Sequence, residues 1–509
     1  MTVVAGVDPR TAAPLPGVAE ASTPEQVDGL ARAAAAAADT LAALGRHHRA
    51  DLLDGLADAV EDRRAELVDT ASRETGFADA KLNAELTRAC FQLRFFGEVL
   101  REGSYLEATI DPAADTPMGP RPDLRRLLVP IGPVAVFGAS NFPFAFSVLG
   151  GDTTSALAAG CPVIVKAHDS HPATSKLSFD ILAEATRSRK APQGILGIVY
   201  GRQAGADLVA HNAVRAVGFT GSLTGGKALI DIISTRDEPI PFYGELSSLN
   251  PVIITPAAAA ERGEEIGANL VASFTMGAGQ LCTKPGLVLV PNNSDGDRVV
   301  SSVRTALGDV SAQTLLNERI YTTYTRDTAE LRGHRDITTI DSPRPAEIHG
   351  FCVDPVVFET DIAHLTGELV NEIFGPATVV VRYDADQPER AAAAALGILP
   401  HSLTATIHHS ADEAVLTTRL TSVAQPAAGR IVYNGFPTGV AVSWAQTHGG
   451  PWPSTNSLHT SVGAGAIRRF LRPITYQGAP PSVLPQELRD DYDRIPRRID
   501  GILHLPGGR

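Results

Sequence analysis

Sulfur is scarce in this chain: 509 residues hold four cysteines and three methionines. The cysteines, Cys90, Cys161, Cys282 and Cys352, stand far apart and form no CxxC pair. That spacing argues against a disulfide framework or a zinc site, so no metal is expected, and it suits a reducing cytosol. Long apolar runs are missing as well. No uncharged stretch reaches bilayer-spanning length, so no transmembrane helix is expected. The start, Met1-Thr2-Val3-Val4-Ala5-Gly6-Val7-Asp8, lacks the basic residues and apolar core of a signal peptide. Together these predict a cytoplasmic protein. Positive charge is in deficit, with 44 Lys and Arg against 57 Asp and Glu and a net charge of −13. That balance disfavours nucleic acid and acidic membrane surfaces as partners. Internal repeats and low-complexity tracts are also absent.

What remains is an ordinary globular composition, 44% hydrophobic and 20% charged. The length predicts two or three domains. Residues 1 to about 22 read as an extended leader. Thr23-Pro24-Glu25 then opens a helix, with Thr as cap, Pro at the first helical position and Glu in the first turn. Helical periodicity continues to about Leu44, then from His48 to about Glu74 and from Ala78 to about Arg101. Residues 111 to 130 are rich in Pro, Asp and Arg, which suits either a basic arm for a partner subunit or a plain connecting loop. Short apolar strands come next at 134–138, 163–166, 197–200, 216–220 and 252–254, with helical patterns between them. That alternation predicts a parallel, doubly wound sheet, whose ligands sit outside the carboxyl ends of the strands. A second alternating region, from about Ala257 to Tyr433, reads as a second α/β domain. The tail from about Arg468 suits a strand and a surface-wrapping end.

Several residues could carry chemistry. Cys282 lies in Gly277-Ala278-Gly279-Gln280-Leu281-Cys282-Thr283-Lys284-Pro285-Gly286, among small residues that allow a ligand near the main chain. A buried structural thiol is the plainer reading of one cysteine. Gly218-Phe219-Thr220-Gly221-Ser222 ends a strand and opens a helix, where backbone N–H groups attract anions. Gly221 would admit a pyrophosphate and Ser222 would offer a hydroxyl, although the G-x-G-x-x-G spacing is absent. Lys166 ends its strand where a ribose would lie. Asp169, three residues on, could accept bonds from adenosine ribose hydroxyls and repel a 2′-phosphate. Thr174, Ser175 and Arg202 point the other way, since they could hold that phosphate. Asn141 could donate its amide to an oxyanion or cap a helix. Glu245, among apolar and small residues, is expected to be raised by burial toward general-base range.

Taken in order, these motifs resemble the aldehyde dehydrogenases from about residue 20 to about 475. Gly138-Ala139-Ser140-Asn141-Phe142-Pro143, Val165-Lys166-Ala167-His168, Gly218-Phe219-Thr220-Gly221-Ser222, Gly244-Glu245-Leu246, Gly279-Gln280-Leu281-Cys282 and Asn371-Glu372-Ile373-Phe374-Gly375-Pro376 carry the likeness. It implies two doubly wound α/β domains, a Rossmann-type cofactor domain and a catalytic domain, plus a small oligomerisation arm. The expected division is 1–114 for the helical part of the cofactor domain, 115–130 for the arm and 131–256 for the NAD(P)-binding core. Residues 257–435 then form the catalytic domain, and 436–509 the return segment, oligomerisation strand and tail. The resemblance also implies Cys282 as nucleophile, Glu245 as base and Asn141 as oxyanion donor. Lys166 would bind the ribose, Glu372 the nicotinamide ribose, and Phe374 the cofactor beside it.

Within the family the chain is most similar to 2-oxoglutarate-semialdehyde (2,5-dioxopentanoate) dehydrogenases and their fatty-aldehyde relatives. Lys166-Ala167-His168-Asp169, Gly244-Glu245-Leu246-Ser247-Ser248-Leu249-Asn250-Pro251, Asn434-Gly435-Phe436-Pro437-Thr438-Gly439-Val440 and His448-Gly449-Gly450-Pro451-Trp452-Pro453 carry that closer likeness. The implied reaction is NAD- or NADP-dependent oxidation of a small-molecule aldehyde to a carboxylate, with dioxopentanoate first and medium- or long-chain aldehydes second. A non-redox thiol esterase and a non-catalytic cofactor-binding protein are the readings of other classes. Lys284 is the candidate cation for a distal carboxylate, and His448 is read either as an ordinary surface histidine or as a residue near the pocket mouth. A homodimer or homotetramer is expected from the arm and tail.

Overall fold

The structure, a computed structural model, describes residues 2–342, 349–369 and 371–507. Its opening residues form a β-hairpin, Val3–Asp8 against Ala13–Glu20, where the sequence suggested only a leader. A helical layer comes next: Pro24–Ala43, Gly45–Asp62, Arg64–Thr75 and Asp79–Glu102. The first helix starts as its sequence predicts. The Thr23 hydroxyl accepts from the Gln26 N–H at 3.3 Å, and the Gln26 side chain accepts from the Thr23 N–H at 2.9 Å. This closes a capping box over N–H groups that have no intrahelical partner.

The first sheet has five parallel strands in the spatial order Phe242–Glu245, Ala216–Thr220, Val134–Phe137, Val163–Lys166, Leu196–Val199. Chain order reverses between Ala216–Thr220 and Val134–Phe137, which is where a doubly wound sheet opens a ligand crevice. Alternate residues feed opposite cores. Val134, Val136, Val163 and Val165 pack with the helices Gly45–Asp62 and Asp79–Glu102, while Ala135, Phe137 and Ile164 pack with Val27, Ala31 and Ala34. Burial on both faces is why these strands read as unbroken apolar runs.

The second sheet has seven strands in the order Thr338–Asp341, Val356–Asp361, Ala377–Tyr383, Leu287–Pro291, Pro251–Ile254, Ser402–His408, Ala428–Tyr433. All pairs are parallel except the edge pair Thr338–Asp341 with Val356–Asp361. The run 252–254 therefore belongs to this sheet, and not to the first as the sequence suggested. A short strand buried on both faces looks alike in either sheet, and Phe242–Glu245, ending in a carboxylate, had hidden the true fifth strand. Two edge-side strands, Thr338–Asp341 and Val356–Asp361, and two helices, Glu318–Arg332 and Ala414–Ala424, are not among the elements expected from the sequence.

A third sheet joins the arm to the tail. Leu124–Pro130 pairs with Leu471–Gln477 on one side and with Thr109–Asp111 on the other, and Arg497–Ile499 and Ile502–His504 complete the order. Among the described residues no helix is long and apolar enough to cross a membrane. The α/β architecture is the one the sequence predicts.

Candidate active site

The chain passes directly from the carboxyl end of Phe242–Glu245 in the first sheet to the amino end of Pro251–Ile254 in the second. The two sheets therefore face each other across the connecting segment. The first sheet contributes residues at or just past the carboxyl ends of its strands: Asn141, Lys166, Gly221, Ser222 and Glu245. The second contributes residues just ahead of its strands: Cys282 before Leu287–Pro291 and Glu372 before Ala377–Tyr383. No single element carries the site.

The loop that carries Cys282 is held in an uncommon conformation. Gly277, Ala278 and Gly279 all have positive φ, at 60°, 58° and 65°. Glycine takes this region freely, whereas Ala278 does so at a cost of order 1–3 kcal/mol. Gly279 is required for a second reason: a Cβ there would stand 2.2 Å from the Gly375 carbonyl oxygen. The Cys282 loop is thus pressed against the loop that bears Glu372 and Phe374. Asn250 fixes the other side. Fully buried and itself at φ 55°, it donates to the Cys282 carbonyl at 2.7 Å and to the Lys284 carbonyl at 3.0 Å. Its side-chain oxygen accepts from Ser248 at 2.7 Å and from Thr404.

Around the thiol, three groups converge. His448 Nε2 lies 3.6 Å from Cys282 Sγ and 2.7 Å from Glu245 Oε1. Ser461 donates to Glu245 Oε2 at 2.8 Å. The sulfur, imidazole nitrogen and carboxylate oxygen all lie within 4.8 Å of one another. Asn141, buried, donates its amide to the Gln280 carbonyl at 2.7 Å, two residues before Cys282, and caps no helix. Its second N–H remains available to a ligand. His448 is buried at the centre of the site, not at a pocket mouth.

The electrostatics depart from the sequence expectation. Burial does push Glu245 upward, but the charge of His448 and hydrogen bonds from His448 and Ser461 outweigh it and leave the carboxyl below its ordinary value. Glu245 is therefore ionised at rest, not raised toward neutrality. Burial, followed by the charges of Glu245 and Glu372, pushes the Cys282 thiol well above its ordinary value. Cys282 is therefore a neutral thiol beside a carboxylate–imidazole pair. Cys90 and Cys161 are pushed up by burial to about 12 and about 11, which keeps both inert.

On the cofactor side, Lys166 and Asp169 form an ion pair at 2.6 Å, with Lys166 largely buried and Asp169 half exposed. Ser222 caps the helix Leu223–Ser234 by accepting from the Gly225 N–H at 3.2 Å, and the Gly221 N–H donates to the Glu245 carbonyl at 3.0 Å. Arg202 is exposed at the start of Arg202–Ala210, after the strand beside Lys166. Glu372 is bonded through Ser247 and the Ser248 backbone, and lies near Lys284 and Cys282. Phe374 is partly buried and packs on the main core.

Two expectations fail. Thr174 is fully buried and donates its hydroxyl to Glu74 at 2.7 Å, so it is no phosphate ligand. Glu74 also accepts from the Ala173 and Thr174 N–H groups and so caps the helix Pro172–Ser188 from a distance. Lys284 is buried, with its ammonium on the Ala377 carbonyl at 2.6 Å. Burial lowers its pKa, and burial raises that of its neighbour Glu372. It stands inside the wall of the site, not at the entrance, and cannot greet a substrate carboxylate. The sequence had also missed the roles of Ser461, Asn250 and Gln280. Gln280 accepts from the Leu316 N–H at 2.9 Å. A lone polar residue far along the chain gives no spacing signal for such contacts.

Comparison with known proteins agrees with this geometry. The model of the aldehyde dehydrogenase family matches residues 2–450. An alpha-ketoglutaric semialdehyde dehydrogenase 2 of Azospirillum brasilense is 44% identical over 501 residues, covering 96% of this chain and 93% of its own. An alpha-ketoglutaric semialdehyde dehydrogenase of Acinetobacter baylyi is 40% identical over 489 residues, covering 95% and 92%. A mutant aldehyde dehydrogenase C from Pseudomonas syringae, solved with NAD+ and octanal, shares the fold with a TM-score of 0.78 at 21% identity, covering 95% of each chain. A cysteine set between two opposed α/β sheets, and a family match across most of the length, lead to one conclusion: this chain belongs to the aldehyde dehydrogenase family.

Proposed function

We propose that this protein oxidises 2-oxoglutarate semialdehyde to 2-oxoglutarate with a nicotinamide cofactor. The observation that carries the substrate is the pair of alpha-ketoglutaric semialdehyde dehydrogenases that match nearly the whole chain at 44% and 40% identity. The donor set fits a dinucleotide. A largely buried ammonium at Lys166, the capped start of Leu223–Ser234 and the Glu372 carboxylate line up along the carboxyl ends of the first sheet and the facing loop. A nicotinamide dinucleotide bound there supplies the hydride acceptor.

The chain's own residues do the rest. The His448–Glu245 pair takes the thiol proton, and the Cys282 sulfur attacks the aldehyde carbon. Asn141 and the Cys282 backbone N–H hold the oxyanion, each worth about 3–4 kcal/mol. After oxidation the carbon is a thioester on Cys282. Once the thiol proton has passed on to solvent, Glu245, returned to its ionised form and held there by His448 and Ser461, accepts a proton from the water that hydrolyses the thioester. The carboxylate–imidazole pair favours hydrolysis over transfer to a second thiol.

Asp169 supports NAD as the preferred cofactor, because a carboxylate beside the ribose-binding lysine accepts from a 2′-hydroxyl and repels a 2′-phosphate. The exposed Arg202 is the opposing group, and Asp169→Ala should shift the ratio of kcat/KM toward NADP. The decisive experiment is a substrate panel read by the near-ultraviolet absorbance of reduced cofactor. Dioxopentanoate should exceed succinate semialdehyde and long-chain aldehydes in kcat/KM; a preference for long-chain aldehydes would overturn the assignment. Cys282→Ala that still reduced cofactor would overturn the reaction itself.

A further inference from the structure

The semialdehyde of 2-oxoglutarate carries a carboxylate at the far end of a short chain, and the candidate cation, Lys284, is sealed in the wall. Two guanidinium groups come from elsewhere in the chain to the same region. The segment Pro437-Thr438-Gly439-Val440 lies against the nucleophile, since the Thr438 carbonyl accepts from Thr283, the residue after Cys282, at 3.3 Å. Arg430 donates to the Pro437 carbonyl and, at 2.7 Å, to the Gly439 carbonyl, and Arg88 donates through Nη1 to the Val440 carbonyl. Arg88 comes from the helix Asp79–Glu102 and stands over the Phe146 ring, 5.9 Å from its centroid. That ring lies 6.3 Å from the His448 ring.

Arg88 is left with an unsatisfied edge. Its Nε and Nη2 are both buried and without a hydrogen-bond partner, as is Nε of Arg430. The nearby carboxylates are already engaged. Glu85 takes Lys81 and the Phe144 and Ala145 N–H groups, and Glu245 takes His448 and Ser461. Among the described residues neither arginine has an ion-pair partner. Buried N–H groups of a charged side chain are costly to leave unpaired. Nε and one terminal nitrogen form the side edge of a guanidinium, which matches the two oxygens of a carboxylate.

We propose that Arg88 is the specificity-determining residue of this enzyme: its Nε–Nη2 edge grips the distal carboxylate of a 2-oxo-acid aldehyde, with Arg430 Nε as a second donor across the 437–440 segment. Burial lowers the pKa of both arginines; Glu85, Cys282 and Glu245 lie within electrostatic reach of Arg88, and Cys282 within reach of Arg430. The proposal rests on 2-oxoglutarate semialdehyde being the substrate. It adds a grip that an uncharged aldehyde cannot use.

The test compares wild type, Arg88→Lys and Arg88→Gln by kcat/KM for dioxopentanoate and for pentanal. In the glutamine variant the dioxopentanoate-to-pentanal ratio should fall about 10- to 150-fold, the loss of a charge-assisted bidentate contact. Lysine, which keeps charge but not the fork, should restore only part of it. Binding of 2-oxoglutarate to each protein, followed by calorimetry, reads the same contact without turnover and should weaken in the same order. Thermal midpoints report whether the variants fold. An unchanged ratio and unchanged 2-oxoglutarate affinity in folded variants overturn the role of Arg88 alone. A wild-type enzyme that prefers pentanal overturns the substrate reading, and this proposal with it.

Discussion

Cys282 stands near two carboxylates, Glu245 and Glu372, and that placement governs when it reacts. A thiol pushed above its ordinary value gains thiolate as pH rises, so alkylation of Cys282 by iodoacetamide should accelerate with pH above neutrality. Glu245→Gln removes one of the negative charges and should move that rise to lower pH; an unmoved profile would refute the electrostatic account. In turnover the same variant should release one burst of reduced cofactor and then stall, with the acyl group on Cys282 visible by mass spectrometry. Cys282, Glu245 and Asn141 were legible in the sequence as candidates, through the motifs that carry the family resemblance. His448 and Ser461 were not legible as partners of Glu245, since 203 and 216 residues separate them from it.

The loop 277–286 works as an element because its neighbours leave it one conformation. Gly279→Ala would meet both a positive φ and the Gly375 carbonyl oxygen at 2.2 Å. It should cost at least about 1–3 kcal/mol in urea unfolding, with a larger loss of activity. Ala278→Gly relieves strain at φ 58° and should stay within about 1 kcal/mol of the parent. If both behaved alike, the left-handed turn would not be what shapes the site. Asn250→Ala strips the carbonyls of Cys282 and Lys284 of their donors, at about 1–3 kcal/mol for each acceptor left buried and unpaired. The glycines of this loop announced an unusual backbone in the sequence. What they were fitted to, the Gly375 backbone and Asn250, comes from other parts of the fold.

For the whole molecule, the proposed cofactor residues and Cys282 come from different sheets, so cofactor binding should brace the fold. Saturation at about 100 times Kd stabilises by about 2.7 kcal/mol, which a thermal scan reads directly; NAD should raise the midpoint more than NADP at equal concentration. The strand Leu471–Gln477 is an unpaired edge of the arm-and-tail sheet, and such an edge invites pairing between copies. Light scattering should accordingly report a dimer or a dimer of dimers. By itself the sequence determined the alternation of strands and helices and the family, and it proposed a nucleophile and a base, because apolar periodicity and local motifs are properties of neighbours along the chain. Tertiary structure decided which sheet holds Pro251–Ile254, that Glu245 is ionised against His448, that Thr174 and Lys284 are sealed away, and that Arg88 keeps a free edge. Burial and pairing depend on groups brought from distant parts of the chain, and no local pattern encodes them.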